Sequence, residues 1–111
     1  MSKYKNKKTQ IDMYVFDSIA ESKRYKELVL LQRAEKITEL QLQPKFLLQE
    51  SFKKNGKTHR KIVYIADFQY KENGKIIVED VKGKETEAFK IKRKLFEKKY
   101  MGLELRIIKI K

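Results

Sequence analysis

Cysteine is absent from this chain, which excludes a disulfide framework, a thiolate metal site and a cysteine nucleophile. Histidine occurs once, as His59 near a turn, with no ligand pattern around it. It reads as an exposed strand residue and makes neither a zinc site nor a catalytic triad. There is no glycine-rich phosphate loop, so nucleotide hydrolysis has no support and no nucleotide cofactor is expected. The longest aliphatic run, Leu28-Val29-Leu30-Leu31, falls far short of the ~20 apolar residues that span a bilayer. No hydrophobic segment follows the basic N-terminus, so no signal peptide is expected. Acidic residues are scarce: 15 against 28 Lys and Arg, a formal charge of +13. Small soluble domains carry a net charge of roughly 2 to 8 in magnitude, and self-repulsion on this larger scale opposes the compact state unless a polyanion offsets it. What is present separates the chain from a disordered basic tail, for 41% is hydrophobic and 11% aromatic, enough to build a core. At 111 residues it is one domain's worth. The expectation is a small cytoplasmic globular protein that meets nucleic acid and not membrane.

Residues 1–12 are polar, with Lys3, Lys5, Lys7 and Lys8 crowded together. They read as a frayed basic arm, with a short strand or a phosphate-gripping arm as the alternatives. A single domain is expected over residues 13–111. Ser18 and Glu21 have the spacing of a capping box and open a helix predicted to run to about Lys36, with Glu21, Tyr25, Leu28 and Leu31 on one stripe. An irregular stretch over 37–43 closes at Pro44. Strands are predicted over 46–52, 61–70 and 75–81, the first two separated by Asn55-Gly56 and the last two by Asn73-Gly74. Asn-Gly is the strongest short hairpin signal, because a two-residue type I′ turn needs positive φ at both positions. Thr86 caps a second helix predicted over 87–100, Gly102 stands where a C′ glycine belongs, and apolar alternation over 103–110 reads as a last strand. The order is α-β-β-β-α-β. The connection into the last strand is long enough for a parallel crossover, which makes the fold α/β with a mixed central sheet.

Two acidic residues interrupt apolar strands: Asp67 in Val63-Tyr64-Ile65-Ala66-Asp67-Phe68, and Asp80 in Ile76-Ile77-Val78-Glu79-Asp80-Val81. Aspartate is disfavoured in strands and expensive to bury as an anion without a partner. With Asn73 and Gly74 as the loop, Glu72 faces Lys75, and counting outward along both strands sets Asp67 directly opposite Asp80. Their Cβ atoms are then ~5 Å apart on one face of the sheet. Lys82 shares that face, whereas Glu79 points the other way. Like charges so placed repel, so a cation is needed between them. Lys82 alone can serve, forming a buried ion-pair cluster; a divalent ion such as Mg²⁺, which prefers carboxylate, phosphate and water oxygens, is the alternative. Glu21 also has two readings. It is the capping-box residue of its helix, or, if that helix packs near the pair, a third acidic ligand.

Asp67, twelve intervening residues, then Asp80-Val81-Lys82 resembles the PD-(D/E)XK nuclease superfamily, whose minimal core has this order of elements. Three segments resemble, more narrowly, a family of small phage-encoded endonucleases: Phe16-Asp17-Ser18 with Glu21, Tyr64-Ile65-Ala66-Asp67-Phe68, and Val78-Glu79-Asp80-Val81-Lys82-Gly83. Ala66 stands where the motif's proline would be. The resemblance implies a restriction-endonuclease-like core and a metal-dependent endonuclease acting on branched DNA, Holliday junctions included, in the cytoplasm of a bacterial host. It implies that Asp67, Asp80 and the Val81 carbonyl hold Mg²⁺, with Mn²⁺ able to substitute, and that Glu21 completes the site. Lys82 is implied to orient or activate the attacking water and to help neutralise the scissile phosphate.

The second helix carries Lys90, Lys92, Arg93, Lys94, Lys98 and Lys99 against Glu87 and Glu97, with Ala88, Ile91, Leu95 and Phe96 expected on its inner side. This favours a phosphate-tracking face, in which Lys84, Thr86, Lys90, Lys94 and Lys98 are the candidate DNA contacts. Such contacts fix position without reading bases. Paired nicks in a four-way junction need two active sites, so a C₂ homodimer is expected. Two other readings stand: a non-catalytic basic module that binds nucleic acid, with Asp67, Asp80 and Lys82 as an ion cluster, and a nickase or sequence-specific endonuclease on the same fold.

Overall fold

The computed structural model describes residues 9–11, 14–16 and 18–110. The lysines at 3, 5, 7 and 8 of the expected basic arm, and Asp17 of the first resembling segment, lie outside them. The arm's end is a strand: β1 (Thr9–Ile11) pairs antiparallel with β2 (Tyr14–Phe16). Helix α1 (Ile19–Arg33) follows. Ser18 caps it, its Oγ accepting the Glu21 N–H at 3.1 Å. The helix ends three residues earlier than expected, because Glu35 adopts φ +60°. The Glu35 and Lys36 N–H groups then fold back onto the carbonyls of Gln32 and Leu31, a Schellman closure with glutamate in the usual glycine position.

Then come β3 (Thr38–Leu42), β4 (Lys45–Gln49), β5 (Phe52–Lys54), β6 (Lys57–His59), β7 (Ile62–Ile65), β8 (Phe68–Glu72) and β9 (Lys75–Lys82). Helix α2 (Glu87–Lys99) and β10 (Glu104–Lys109) complete the fold. The central sheet is mixed, with order β10-β9-β8-β3. β10 runs parallel to β9, while β8 pairs antiparallel with β9 and β3. The hairpin register is the one expected, Glu72 opposite Lys75 and Phe68 opposite Glu79, with Asn73 and Gly74 at φ +51° and +79° as a type I′ turn requires.

Two expectations are corrected. Residues 37–43 are not irregular: Thr38–Leu42 is one edge strand of the sheet, and the alternation of half-buried Leu40 and Leu42 was its signal. The strand expected over 61–70 is two strands, β7 paired with β4 and β8 paired with β9 and β3, broken at Ala66–Asp67. Pro44 lies across this break, its carbonyl accepting the Ala66 N–H while the Asp67 carbonyl accepts the Gln43 N–H. Proline has no N–H to continue a ladder, so both strands turn over together. Tyr64 and Ala66 therefore pack into one core, whereas Phe68 and Tyr70 pack into the other.

Each helix covers one face. Tyr25 and Leu28 of α1 pack with Phe68, Tyr70 and Ile77; Phe89 and Phe96 of α2 pack with Phe46, Tyr64 and Val78. Burial of each such side chain stabilises the fold by roughly 1.5–3 kcal/mol. The inner side of α2 also needs correction: Ile91 is 61% exposed and Leu95 37%. Phe89 and Phe96, two turns apart, define the buried stripe, and Ile91 is displaced from Phe89 by ~200° around the helix. Among the described residues no helix is long and apolar enough to cross a membrane.

Candidate active site

The break at Ala66–Asp67 places Asp67 at the rim of the central sheet, beside the end of β9. Its N–H donates to the Glu79 carbonyl at 3.0 Å, and its Oδ2 accepts the Val81 N–H at 2.7 Å. Asp80 is 2% exposed. Its Oδ2 accepts the Tyr64 hydroxyl at 2.5 Å, and its Oδ1 lies 3.5 Å from Lys82 Nζ. The Lys82 ammonium also sits 4.4 Å from the centre of the Phe89 ring, a cation–π contact that steadies it at the base of α2. Two carboxylates and one ammonium thus meet on the α2 face.

The electrostatics of this meeting are strained. Burial first, and then the negative charge of Asp80, push the Asp67 carboxyl up to about 8; the Val81 N–H pulls the other way and Glu21 adds to the rise. Burial, and then its bond to Asp80, raise the Tyr64 hydroxyl. Burial and the neighbouring Asp80 thus disfavour a second bare anion at Asp67. Hard oxygen donors with unmet negative charge are the donor set of a Mg²⁺-class ion, so the residues present fit one.

Glu21 is 7% exposed on the first turn of α1, and its charge reaches Asp67. Among the described residues, however, no three His, Cys, Asp or Glu side chains converge closely enough to hold a metal by themselves. The structure brings Asp67, Asp80, Val81 and Lys82 together, and the charge of Glu21 reaches Asp67. Glu79 points to the other face, as expected, and there it meets α1. It is fully buried, receives Arg24 through Nε at 2.8 Å and Nη2 at 2.6 Å, and accepts the Tyr70 hydroxyl. Its bond to Glu79 raises Arg24 further above its usual range. This bridge ties the first turns of α1 to β9 and so sets where Glu21 stands.

From sequence Tyr64 reads as core alone. It is core, at 3% exposure, but its hydroxyl is part of the site. The available signal was the residue type: a buried tyrosine in an apolar strand needs a partner for its O–H. Along α2, the exposed Thr86, Lys90, Lys94 and Lys98 form one row at four-residue spacing. Thr86 caps the helix through Oγ1 to the Phe89 N–H at 3.1 Å, and Lys90 lies 3.4 Å from Glu87. Lys84 is exposed in the preceding loop. Another cation of α2, Lys92, borders the site. With Lys82, Tyr64, Thr86 and Phe89 it lines a concavity of about 280 Å³ between α2 and β7.

No curated protein matches the chain. Over residues 1–111 the chain matches, and so belongs to, the family described as protein of unknown function, DUF1064.

Proposed function

We propose that the chain is a Mg²⁺-dependent DNA endonuclease with a restriction-endonuclease-like core, acting in the cytoplasm as a homodimer on branched DNA such as a four-way junction. The observation that carries this reading is the meeting of Asp67, at the break between β7 and β8, with Asp80 and Lys82 of β9. Such a cluster is costly to assemble unless it binds something positively charged. Asp67, Asp80 and the Val81 carbonyl would hold the ion, with Mn²⁺ as a substitute, and Glu21 would add negative charge behind Asp67. A divalent ion there supplies charge stabilisation for a pentacovalent phosphorus and a nucleophile at neutral pH.

The chain's own residues do the rest. The Tyr64 hydroxyl fixes one oxygen of Asp80 and thereby the rotamer of the carboxylate. The Lys82 ammonium, partly exposed and pinned between Asp80 and Phe89, offers donors to a water or a phosphate oxygen. Lys92 and the N-terminus of α2 face the same concavity, where backbone N–H groups and positive charge favour an anionic backbone. The exposed row Lys90, Lys94 and Lys98 extends that positive field along the helix, with Lys84 and Thr86 at its start.

One observation favours a second reading. Asp80 already has the Tyr64 hydroxyl and the Lys82 ammonium as partners, which is what a non-catalytic basic module with a buried ion cluster would show. Labelled junction and duplex DNA, incubated with Mg²⁺ or with EDTA, separate the two. Cleavage that needs Mg²⁺ and disappears in Asp80→Asn while binding persists supports the enzyme. Tight binding with no metal-dependent cleavage on any branched or duplex substrate supports the module.

A further inference from the structure

The hairpin of β5 and β6 stands apart from both cores. All residues from 50 to 61 are exposed, and the two strands pair with each other, Phe52 opposite His59, Lys53 opposite Thr58 and Lys54 opposite Lys57. The segment carries five cations, Lys53, Lys54, Lys57, Arg60 and Lys61, against Glu50 alone. Among the described residues none of the five lies within ion-pair distance of a carboxylate, although α2 and β10 pair several of theirs. Lys54 and Lys57 face each other directly beside the Asn55-Gly56 turn, a like-charge pair that costs a sheet stability. On the same face, Phe52 stacks on His59 with ring centres 4.7 Å apart and planes 16° apart, and Phe52 remains 44% exposed. A hydrophobic ring and an unneutralised row of ammonium groups are thus displayed to solvent on a ribbon with no core of its own to serve.

We infer that this ribbon is a second DNA contact, gripping the phosphate backbone of a duplex arm that leaves the active site. The inference rests on the DNA reading above and adds a surface to it. Charge complementarity names the partner, for a polyanion relieves the Lys54–Lys57 repulsion. Shape agrees, since a two-stranded ribbon is one of the elements a DNA groove admits. The position is set by the fold. β4 and β7 lead from Pro44 and Ala66, beside Asp67, out to the ribbon, whose tip is then at most ~37 Å along the strands from the candidate site. At 3.4 Å per step this is at most ~11 base pairs of duplex. The stacked Phe52–His59 pair lies at the base of the ribbon, toward the site, where it can press on sugar or base edges without sequence readout.

The test is DNA binding measured by fluorescence anisotropy across a salt series, in Ca²⁺ or EDTA so that nothing is cut, using a long-armed four-way junction and a linear duplex. The variants are Lys53→Ala/Lys54→Ala/Lys57→Ala/Arg60→Ala together and the charge reversal Lys54→Glu/Lys57→Glu. All these positions are exposed, and unchanged thermal unfolding confirms that the fold is intact. The quadruple variant is expected to bind at least tenfold more weakly. Its dependence of log affinity on log salt is expected to flatten by ~3 to 4, close to 0.9 for each phosphate that the ribbon no longer neutralises. Wild-type affinity and slope in both variants overturn the inference and leave the lysines as guards against edge-to-edge strand pairing. Its failure is separable from that of the nuclease reading. Ribbon-dependent binding without any cleavage keeps the ribbon and removes the enzyme, while cleavage with ribbon-independent binding does the reverse.

Discussion

Tyr64 and Asp80, one from β7 and one from β9, are joined by a 2.5 Å hydrogen bond with both side chains buried. The bond links the arm that carries the basic ribbon to the strand that carries the candidate site. Removing the hydroxyl leaves a buried carboxylate oxygen short of a donor, which costs about 1–3 kcal/mol. Tyr64→Phe is therefore expected to unfold at lower denaturant. If Asp80 holds an ion, the variant should also lose ~10–100-fold in activity or metal affinity, as removal of an orienting partner does. Denaturant titration and a Mg²⁺ titration of cleavage check the two effects separately. Wild-type values in both would show the bond to be incidental.

Stability without divalent ions should fall as pH rises. The Asp67 carboxyl is pushed from 3.8 up to about 8 in the folded protein, so the native state binds this proton more tightly than the unfolded chain does. Its contribution is fully present below about pH 4 and lost as pH climbs through about 8, with a slope of at most about 1.4 kcal/mol per unit for one proton. Asp67→Asn removes the proton and should flatten that part of the profile in chemical denaturation at a series of pH values. Mg²⁺ competes with the proton, so its stabilising effect should grow with pH across the same window. An unchanged slope in Asp67→Asn would contradict the coupling.

Lys82→Ala removes the ammonium beside Asp80. Acid–base or phosphate-stabilising roles of such a group contribute about 10²–10⁴-fold, and cleavage should fall by that range while DNA affinity changes little. Lys82→Arg keeps the charge and should recover part of the loss. Single-turnover cleavage of labelled junction, measured beside binding, distinguishes this from a general weakening of the complex.

Arg24→Ala should be among the most destabilising changes in the protein, at about 3–5 kcal/mol, because it strands the fully buried Glu79 carboxylate. The pairing Arg24→Met/Glu79→Gln removes both charges and should cost much less. Denaturant midpoints of the two variants provide the comparison. If they are equally destabilised, the cost lies in packing rather than in an uncompensated charge.

Much of this protein is written locally. Asn73-Gly74 imposes a two-residue turn whose backbone permits one pairing, and the register of β8 on β9 follows by counting, which is how spacing alone assigns Asp67, Asp80 and Lys82 to one face. Ser18, Thr86 and the alternation over β10 mark helix starts and a strand for the same reason: each depends on hydrogen bonds or side-chain spacing within a few residues. Other features depend on partners distant in sequence and are settled only in three dimensions. Pro44 breaks a ladder whose other strand lies more than twenty residues away, so the turnover at Ala66–Asp67 and the assignment of Tyr64 to the site could not be counted out. Ile91 lies outside because Phe89 and Phe96 claim the core, a competition among apolar side chains that hydropathy alone does not rank. Glu21 acts on Asp67 through charge because Arg24 and Glu79 decide how α1 docks. Residue spacing determines which groups share a face; the packing of helices and the loss of solvent around those groups determine how close they come and what charge they bear.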